Sequence, residues 1–338
     1  MNSNPKSKIQ NPKSPVFLVG PVLSRRLGRS LGVDLLRGEC TFLCPYCEVR
    51  VHHVDALRLI EFKPTAALYA EYARFCRAHG PADLDSVTFS GTGEPTLISN
   101  LGDILRTFKK LGPYPLTVIT NGSLLWMPRV RENLRLADLV VPSLDAVTDR
   151  AWRKVNRPHP GLTLDRYLDG ARQFCAEHPG KIWMEVLLVR RINDSIEDVD
   201  ALARFLRTLR LDRVQIGTVD RPPAKSQARP VPAARLAMLA RRVARQSGHA
   251  VDVIVRPREM SGVSSKIQNP KSKIAGRILR SVSLRPQSPA ELRRSLLLPK
   301  SNFDRAVREL LAGGRMARVR FGRRVFLQSA PGVSSASA

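Results

Sequence analysis

The chain has 338 residues, 43% of them hydrophobic, and 56 basic side chains against 29 acidic ones give a formal net charge of +27. That length predicts about two domains; no run approaches the roughly 18 apolar residues of a membrane span, and five cysteines, three of them within eight residues, do not make a disulfide framework. A membrane protein and a small secreted scaffold are thereby excluded, and the charge, 43 Arg and only 13 Lys, predicts a positive field that gathers polyanions at low salt.

In chain order, Asn4-Pro5-Lys6-Ser7 recurs as Asn11-Pro12-Lys13-Ser14, and Ser7 to Ser14 returns letter for letter as Ser265 to Ser272. Such sequence cannot bury enough surface to offset the entropy of ordering. It predicts a flexible tail over 1–14 and a linker over 258–274. A large part, 15–257, then precedes a small one, 275–328, and a second tail, 329–338. Ser24-Arg25-Arg26 resembles a twin-arginine export signal but lacks the apolar stretch that must follow it, so a cytoplasmic location is expected.

Strands are predicted at Leu31 to Leu36, Ser86 to Ser90, Leu116 to Thr120, Leu139 to Leu144, Ile182 to Val189 and Arg213 to Thr218. They are mostly apolar on both parities, as parallel strands covered on two sides should be. Helices are predicted between and after them, at Thr65 to His79, Asn100 to Leu111, Met127 to Leu136, Leu164 to His178, Ser195 to Leu209 and Pro232 to Gln246. Ser195 with Asp198 forms a variant capping box. Six βα units in series predict an α/β domain, either an open doubly wound sheet or a partial barrel.

Cys40, Cys44 and Cys47 form a C-x3-C-x2-C cluster with Tyr46 before the last cysteine. Three thiolates at this spacing suit one corner-wrapping loop around a [4Fe–4S] cube, with the fourth iron open. Three buried free cysteines are the bland reading, and a Cys3His zinc site completed by His52 or His53 is the sharper rival. Sites in parallel α/β folds gather at the carboxyl ends of strands. There lie Ser90-Gly91-Thr92-Gly93-Glu94-Pro95, Thr120-Asn121-Gly122, and Ser143 with Asp145. Gly93 would let a ligand approach the backbone, Glu94 would accept from an ammonium group, and Ser143 and Asp145 suit ribose hydroxyls. A zinc knuckle has no use for this ring of groups; a cofactor at an open iron does.

These motifs resemble the radical S-adenosylmethionine superfamily. The cysteine spacing is that superfamily's signature, and Ser90 to Leu97 is similar to its methionine-binding segment, with Thr92 where many members have glycine. Over about residues 20–225 the set includes Gly20-Pro21, Ser24 to Asp34, Thr120 to Leu125, Pro142 to Ala146, Asn156 to Pro160 and Thr218 to Pro223. It resembles the iron–sulfur oxidoreductases related to tRNA wyosine synthases. The resemblance implies a partial (β/α)6 TIM-like barrel and one [4Fe–4S] cluster on Cys40, Cys44 and Cys47. It implies S-adenosylmethionine held by Gly91, Gly93, Glu94, Asn121, Ser143 and Asp145, and an electron donor such as flavodoxin or ferredoxin. Reductive cleavage would give methionine and a 5′-deoxyadenosyl radical that abstracts hydrogen from substrate. Archaeal wyosine synthases carry a second cluster on extra cysteines. Only Cys76 and Cys175 remain here, in amphipathic helices where a cysteine is usually core packing, so wyosine chemistry itself does not carry over. Lys154 and Arg157 fall near the expected mouth, where they touch substrate or face solvent.

Residues 275–328 read as a winged helix. Ala275 to Val282 forms a first helix, and the capping box Ser288-Pro289-Ala290-Glu291 opens a second. Ser301 with Asp304 caps a third, ended by Gly313-Gly314, and Met316 to Phe321 and Arg323 to Gln328 form a hairpin turning at Gly322. This segment holds 13 basic and 3 acidic residues. Arg318, Arg320, Arg323 and Arg324 make its hairpin a candidate grip for nucleic-acid phosphates; protein docking is the alternative. The leading expectation is a radical enzyme acting on RNA. The others are an enzyme acting on a protein or small metabolite, and a zinc or iron–sulfur nucleic-acid-binding regulator without turnover.

Overall fold

Short apolar runs alternating with amphipathic helices build one large sheet. The computed structural model describes residues 17–24, 26–36, 38–224, 228–254, 274–296, 298–322 and 324–330. The tail over 1–14, the linker up to 273, the end after 330, Arg25 and Arg323 lie outside the described residues.

The sheet is assembled from β1 (Leu18–Ser24), β2 (Gly28–Val33), β5 (Ser86–Phe89), β6 (Leu116–Thr120), β7 (Leu139–Pro142), β8 (Lys181–Leu188), β9 (Arg213–Thr218) and β10 (Val251–Val253), in that spatial order. β1 runs antiparallel to β2; every other neighbouring pair is parallel. Two minute strands, β3 (Glu39–Cys40) and β4 (His52–His53), pair separately. The helices that follow the strands are α1 (Thr65–Ala78), α2 (Leu101–Leu111), α3 (Pro128–Leu134), α4 (Asp149–Val155), α5 (Leu164–Glu177), α6 (Ile196–Leu206) and α7 (Ala233–Ser247). Ser195 caps α6, accepting from the Asp198 amide.

The six strands expected from sequence are present within a few residues, the first displaced to Gly28–Val33. Besides the two-residue β3 and β4, the elements β1, β10 and α4 were not expected. β1 contains Gly20-Pro21, which reads as a turn; here Pro21 sits on the sheet edge at a register shift between Val19 and Val22, where a missing N–H breaks no ladder. β10 and α4 are too short to show a period. β8 also corrects the two-sided apolar reading. Ile182, Met184, Val186 and Leu188 are buried, whereas Trp183, Glu185 and Leu187 are only half-buried, and the last two face a cavity at the strand ends.

After the linker come α8 (Ile274–Leu284), α9 (Pro289–Ser295), α10 (Lys300–Ala312), β11 (Met316–Phe321) and β12 (Arg324–Ser329), the last two forming an antiparallel hairpin. Ile278, Leu279, Leu292, Phe303, Leu310 and Leu327 belong to a core separate from that of the barrel. Two capping assignments change. Ser301 lies inside the first turn of α10, which starts behind Pro299 without a side-chain cap. Ser288 does cap α9, but the Glu291 carboxylate leaves the box and pairs with Arg221 of the barrel.

Candidate functional site

The cysteine loop is closed by the β3–β4 pair, whose register sets Glu39 against His52 and Cys40 against His53. Phe42, 1% exposed, plugs the loop into the core. It meets Tyr167 at 5.6 Å and Trp152 at 6.2 Å, both edge-on. Trp152 comes from α4, so that short helix is what seats the loop. Further ties are Leu43 N to the Arg157 carbonyl at 3.1 Å, Thr41 Oγ1 to Ser123 Oγ at 2.5 Å, and Tyr46 Oη to Asp145 Oδ2 at 2.5 Å.

All three loop cysteines are half-buried thiols. Asn121 Nδ2 lies 3.4 Å from Cys40 Sγ, and Asn156 Nδ2 lies 3.7 Å from Cys44 Sγ. Burial pushes the Cys40 thiol up to about 12, with Glu94 adding to it. Burial, then Asp145, pushes Cys44 well above its usual range. A thiolate set here requires a positive partner, which a metal centre would supply. Among the described residues no three His, Cys, Asp or Glu side chains converge as a single ion would require. His53, which with His52 was a candidate to complete the rival zinc site, sets Nε2 3.1 Å from the Arg157 carbonyl and its ring edge-on to His159.

The segment Ser90 to Pro95 lies against the strand that leads into the cysteines. Glu94 N donates to the Glu39 carbonyl at 2.9 Å and Gly38 N to the Thr92 carbonyl at 3.0 Å. A Cβ on Gly93 would stand 2.7 Å from the Glu39 carbonyl oxygen and 2.8 Å from that of Leu36. One on Gly91 would overlap the Asp34 carboxylate. Gly93 therefore serves the close approach of two backbones, and Gly91 makes room for the Asp34 carboxylate. Gly93→Ala should cost about 1–3 kcal/mol in urea unfolding because neither carbonyl can withdraw. Gly217→Ala, with nothing within 4 Å of the new methyl, should change far less.

Two carboxylates expected to face a ligand are turned inward. Glu94 is 2% exposed; it accepts from Thr96 N, Thr96 Oγ1 and Thr120 Oγ1 through Oε1, and from Asn121 N through Oε2. Asp145 is 1% exposed and accepts from Tyr46, from Asn156 Nδ2 at 2.8 Å and from Leu187 N at 2.8 Å. Burial raises its carboxyl to about 6 against the pull of those donors. Both therefore brace the loops around the cysteines, while Ser143 remains half-exposed.

A cavity of about 420 Å³ opens at the strand ends. Cys47, Ser90, Gly91, Ser143, Glu185 and Leu187 line its barrel side. Ser281, Arg285 and Gln287 of the helical unit line the other side, a contribution no motif announces. Arg26 and Glu185 pair at 2.6 Å on the wall. The helical unit is fixed there by Arg221, 2% exposed, which bonds Glu48 beside the last cysteine at 2.9 Å and Glu291 of α9. Cys76 and Cys175 lie elsewhere, as core packing. Among the described residues no helix is long and apolar enough to cross a membrane.

A family model described as "Radical SAM superfamily" matches residues 38–206. The chain is 37% identical over 209 residues to UPF0026 protein slr1464 of Synechocystis, covering 60% of this chain and 75% of that one. It is 33% identical over 225 residues to a protein of Brachyspira hyodysenteriae named GTPase Obg, covering 66% of this chain but only 32% of that one. Among solved structures, Streptococcus suis SuiB bound to S-adenosylmethionine aligns with a TM-score of 0.50 at 18% identity, over 67% of this chain and 50% of that one. That last likeness concerns the fold.

Proposed function

Because this chain belongs to the radical SAM superfamily, we propose that it is an enzyme carrying one [4Fe–4S] cluster on Cys40, Cys44 and Cys47, binding S-adenosylmethionine in the adjoining cavity and acting on RNA. One observation carries the cofactor assignment: three thiols on a single pinned loop, one of them lining a cavity walled by Gly91 and Ser143. The donor set fits the group. It is all sulfur, burial raises the Cys40 and Cys44 thiols so that a positive centre would favour their ionisation, and a multi-iron cluster would not need the thiols to converge as a single ion would. A reduced cluster, when bound, supplies the electron that splits the sulfonium into methionine and a 5′-deoxyadenosyl radical for hydrogen abstraction.

The protein's own work is positioning. Asn121 and Asn156 amides steady the sulfurs, Glu94 and Asp145 hold the loops that carry them, and Ser143 is placed for a ribose hydroxyl. The helical unit, read as a winged helix, roofs the cavity and restricts solvent.

The substrate class follows from the hairpin. Arg318, Arg320 and Arg324 are exposed on it, and no acidic residue interrupts Met316–Ser329. Such a face binds phosphates without reading sequence. Arg323 belongs to the same expectation but lies outside the described residues. Anaerobic reconstitution should yield brown protein with about four irons that forms 5′-deoxyadenosine with dithionite; colourless protein with one zinc would overturn the reading. Replacing Arg318, Arg320 and Arg324 by glutamine should flatten the salt dependence of RNA affinity by about 2 logarithmic units. RNA binding that ignores salt would point to a protein or small-metabolite substrate.

A further inference from the structure

A second cavity, of about 530 Å³, lies on the other flank of the cysteine loop. Pro45 forms one wall, and Arg157, Arg190, Arg191 and Arg229 dominate the rest. Among the described residues no acidic residue lines it. All four arginines are exposed, and among the described residues none of their side chains is bonded to an acid. Arg26, Arg150, Arg213, Arg235 and Arg242 each pair with a carboxylate. Three acids near Arg190 and Arg191 in sequence pair elsewhere: Glu185 with Arg26, Asp194 with Arg235 and Asp198 with Arg150.

The backbone aims these side chains. Arg157 (φ 47°) and Arg191 (φ 63°) are the non-glycine residues with positive φ among the described residues. Side chains other than glycine seldom adopt that conformation, and it persists only where the surroundings impose it. Arg157 is fixed through its carbonyl, which accepts from Leu43, and Arg191 through its amide, which donates to Asp194 at 2.6 Å. Arg190 and Arg229 are brought side by side by the bridge Val189↔Pro230 and by Arg190 N donating to the Arg229 carbonyl at 3.1 Å. Four unneutralised guanidinium groups around one concavity form a fork-rich receptor for phosphate oxygens.

We infer that this arginine-lined cavity is a phosphate-binding site that grips phosphodiester groups of the RNA substrate beside the cysteine loop. The inference deepens the RNA reading above and rests on it. Its contact with Pro45 places a held strand one residue from Cys44 and two from Cys47, close to where hydrogen would be abstracted.

The test is fluorescence anisotropy of a labelled single-stranded oligoribonucleotide with the full-length chain across a sodium chloride series. R190Q/R229Q should weaken binding about tenfold at 0.1 M salt and reduce the salt slope by about 1.4, for two lost single-strand contacts. R190K/R229K, keeping the charge, should regain most of the slope. R106Q/R172Q, which removes the same charge from the exposed faces of α2 and α5, should leave the slope as in wild type. An R190Q/R229Q slope equal to wild type overturns the site, as does equal loss in R106Q/R172Q. Competition by inorganic phosphate at millimolar concentration, with no variant-sensitive binding of the oligonucleotide, would mean a small phosphorylated ligand and would also overturn it. Binding needs no cluster, so a wild-type protein that binds RNA but forms no 5′-deoxyadenosine would sink the radical chemistry and leave this site standing.

Discussion

Alanine at Cys44 should abolish 5′-deoxyadenosine formation, by at least about 100-fold, while leaving the fold intact. The thiol is the middle ligand on a loop held at Phe42, Leu43 and Tyr46, so its removal need not loosen the loop. Its protein contacts are weak, at 3.6 and 3.7 Å to Asn156. Their loss should cost no more than about 1 kcal/mol. Cys175→Ala is the matched control. That sulfur is 1% exposed in the α5 core, and its truncation should lower stability by about 1 kcal/mol with full turnover retained. Iron content, visible absorbance and product formation in the two variants measure the difference. Full activity in the Cys44 variant would end the mechanism.

Arg221→Met should cost about 3 kcal/mol of unfolding free energy. Burial opposes the guanidinium charge, but Glu48 and Glu291 more than offset it and raise its pKa further. Without it, two carboxylates with side chains 28% and 21% exposed lose the guanidinium they share; their partial solvation keeps the cost toward the lower end for a broken buried pair. Because the arginine ties α9 to the residue after Cys47, S-adenosylmethionine cleavage should fall as well. R221M/E291Q should cost less than the sum of the two single changes, since both act on one ion pair. Additive losses in urea titrations would show that the pair is not coupled.

How far the fold was readable follows from what each signal depends on. Leu116–Thr120 and Arg213–Thr218 were placed to the residue because a parallel strand buried on both sides advertises itself in a short apolar run. β1, β10 and α4 were not. A Gly-Pro pair reads as a turn until an edge strand excuses the proline, and three or seven residues are too few to show a period. At the site, the grouping of Cys40, Cys44, Tyr46 and Cys47 on one loop was legible because spacing is local. The close backbone packing at Gly93 and the inward hydrogen bonds of Glu94 and Asp145 were not. Nothing local distinguishes a glycine that admits a ligand from one that admits a carbonyl, nor a carboxylate facing solvent from one with every oxygen already bonded.

The amino-acid order alone determined that three thiols share one loop at the end of a strand in an α/β chain, because spacing and periodicity are properties of neighbours. Only the tertiary structure decided that Asp145 braces that loop, that Arg221 locks the helical unit over the cavity, and that Arg157, Arg190, Arg191 and Arg229 line one cavity with no acidic neighbour among the described residues. Those arrangements join residues separated by tens to more than a hundred positions. Burial, desolvation and unpaired charge exist only once such residues meet.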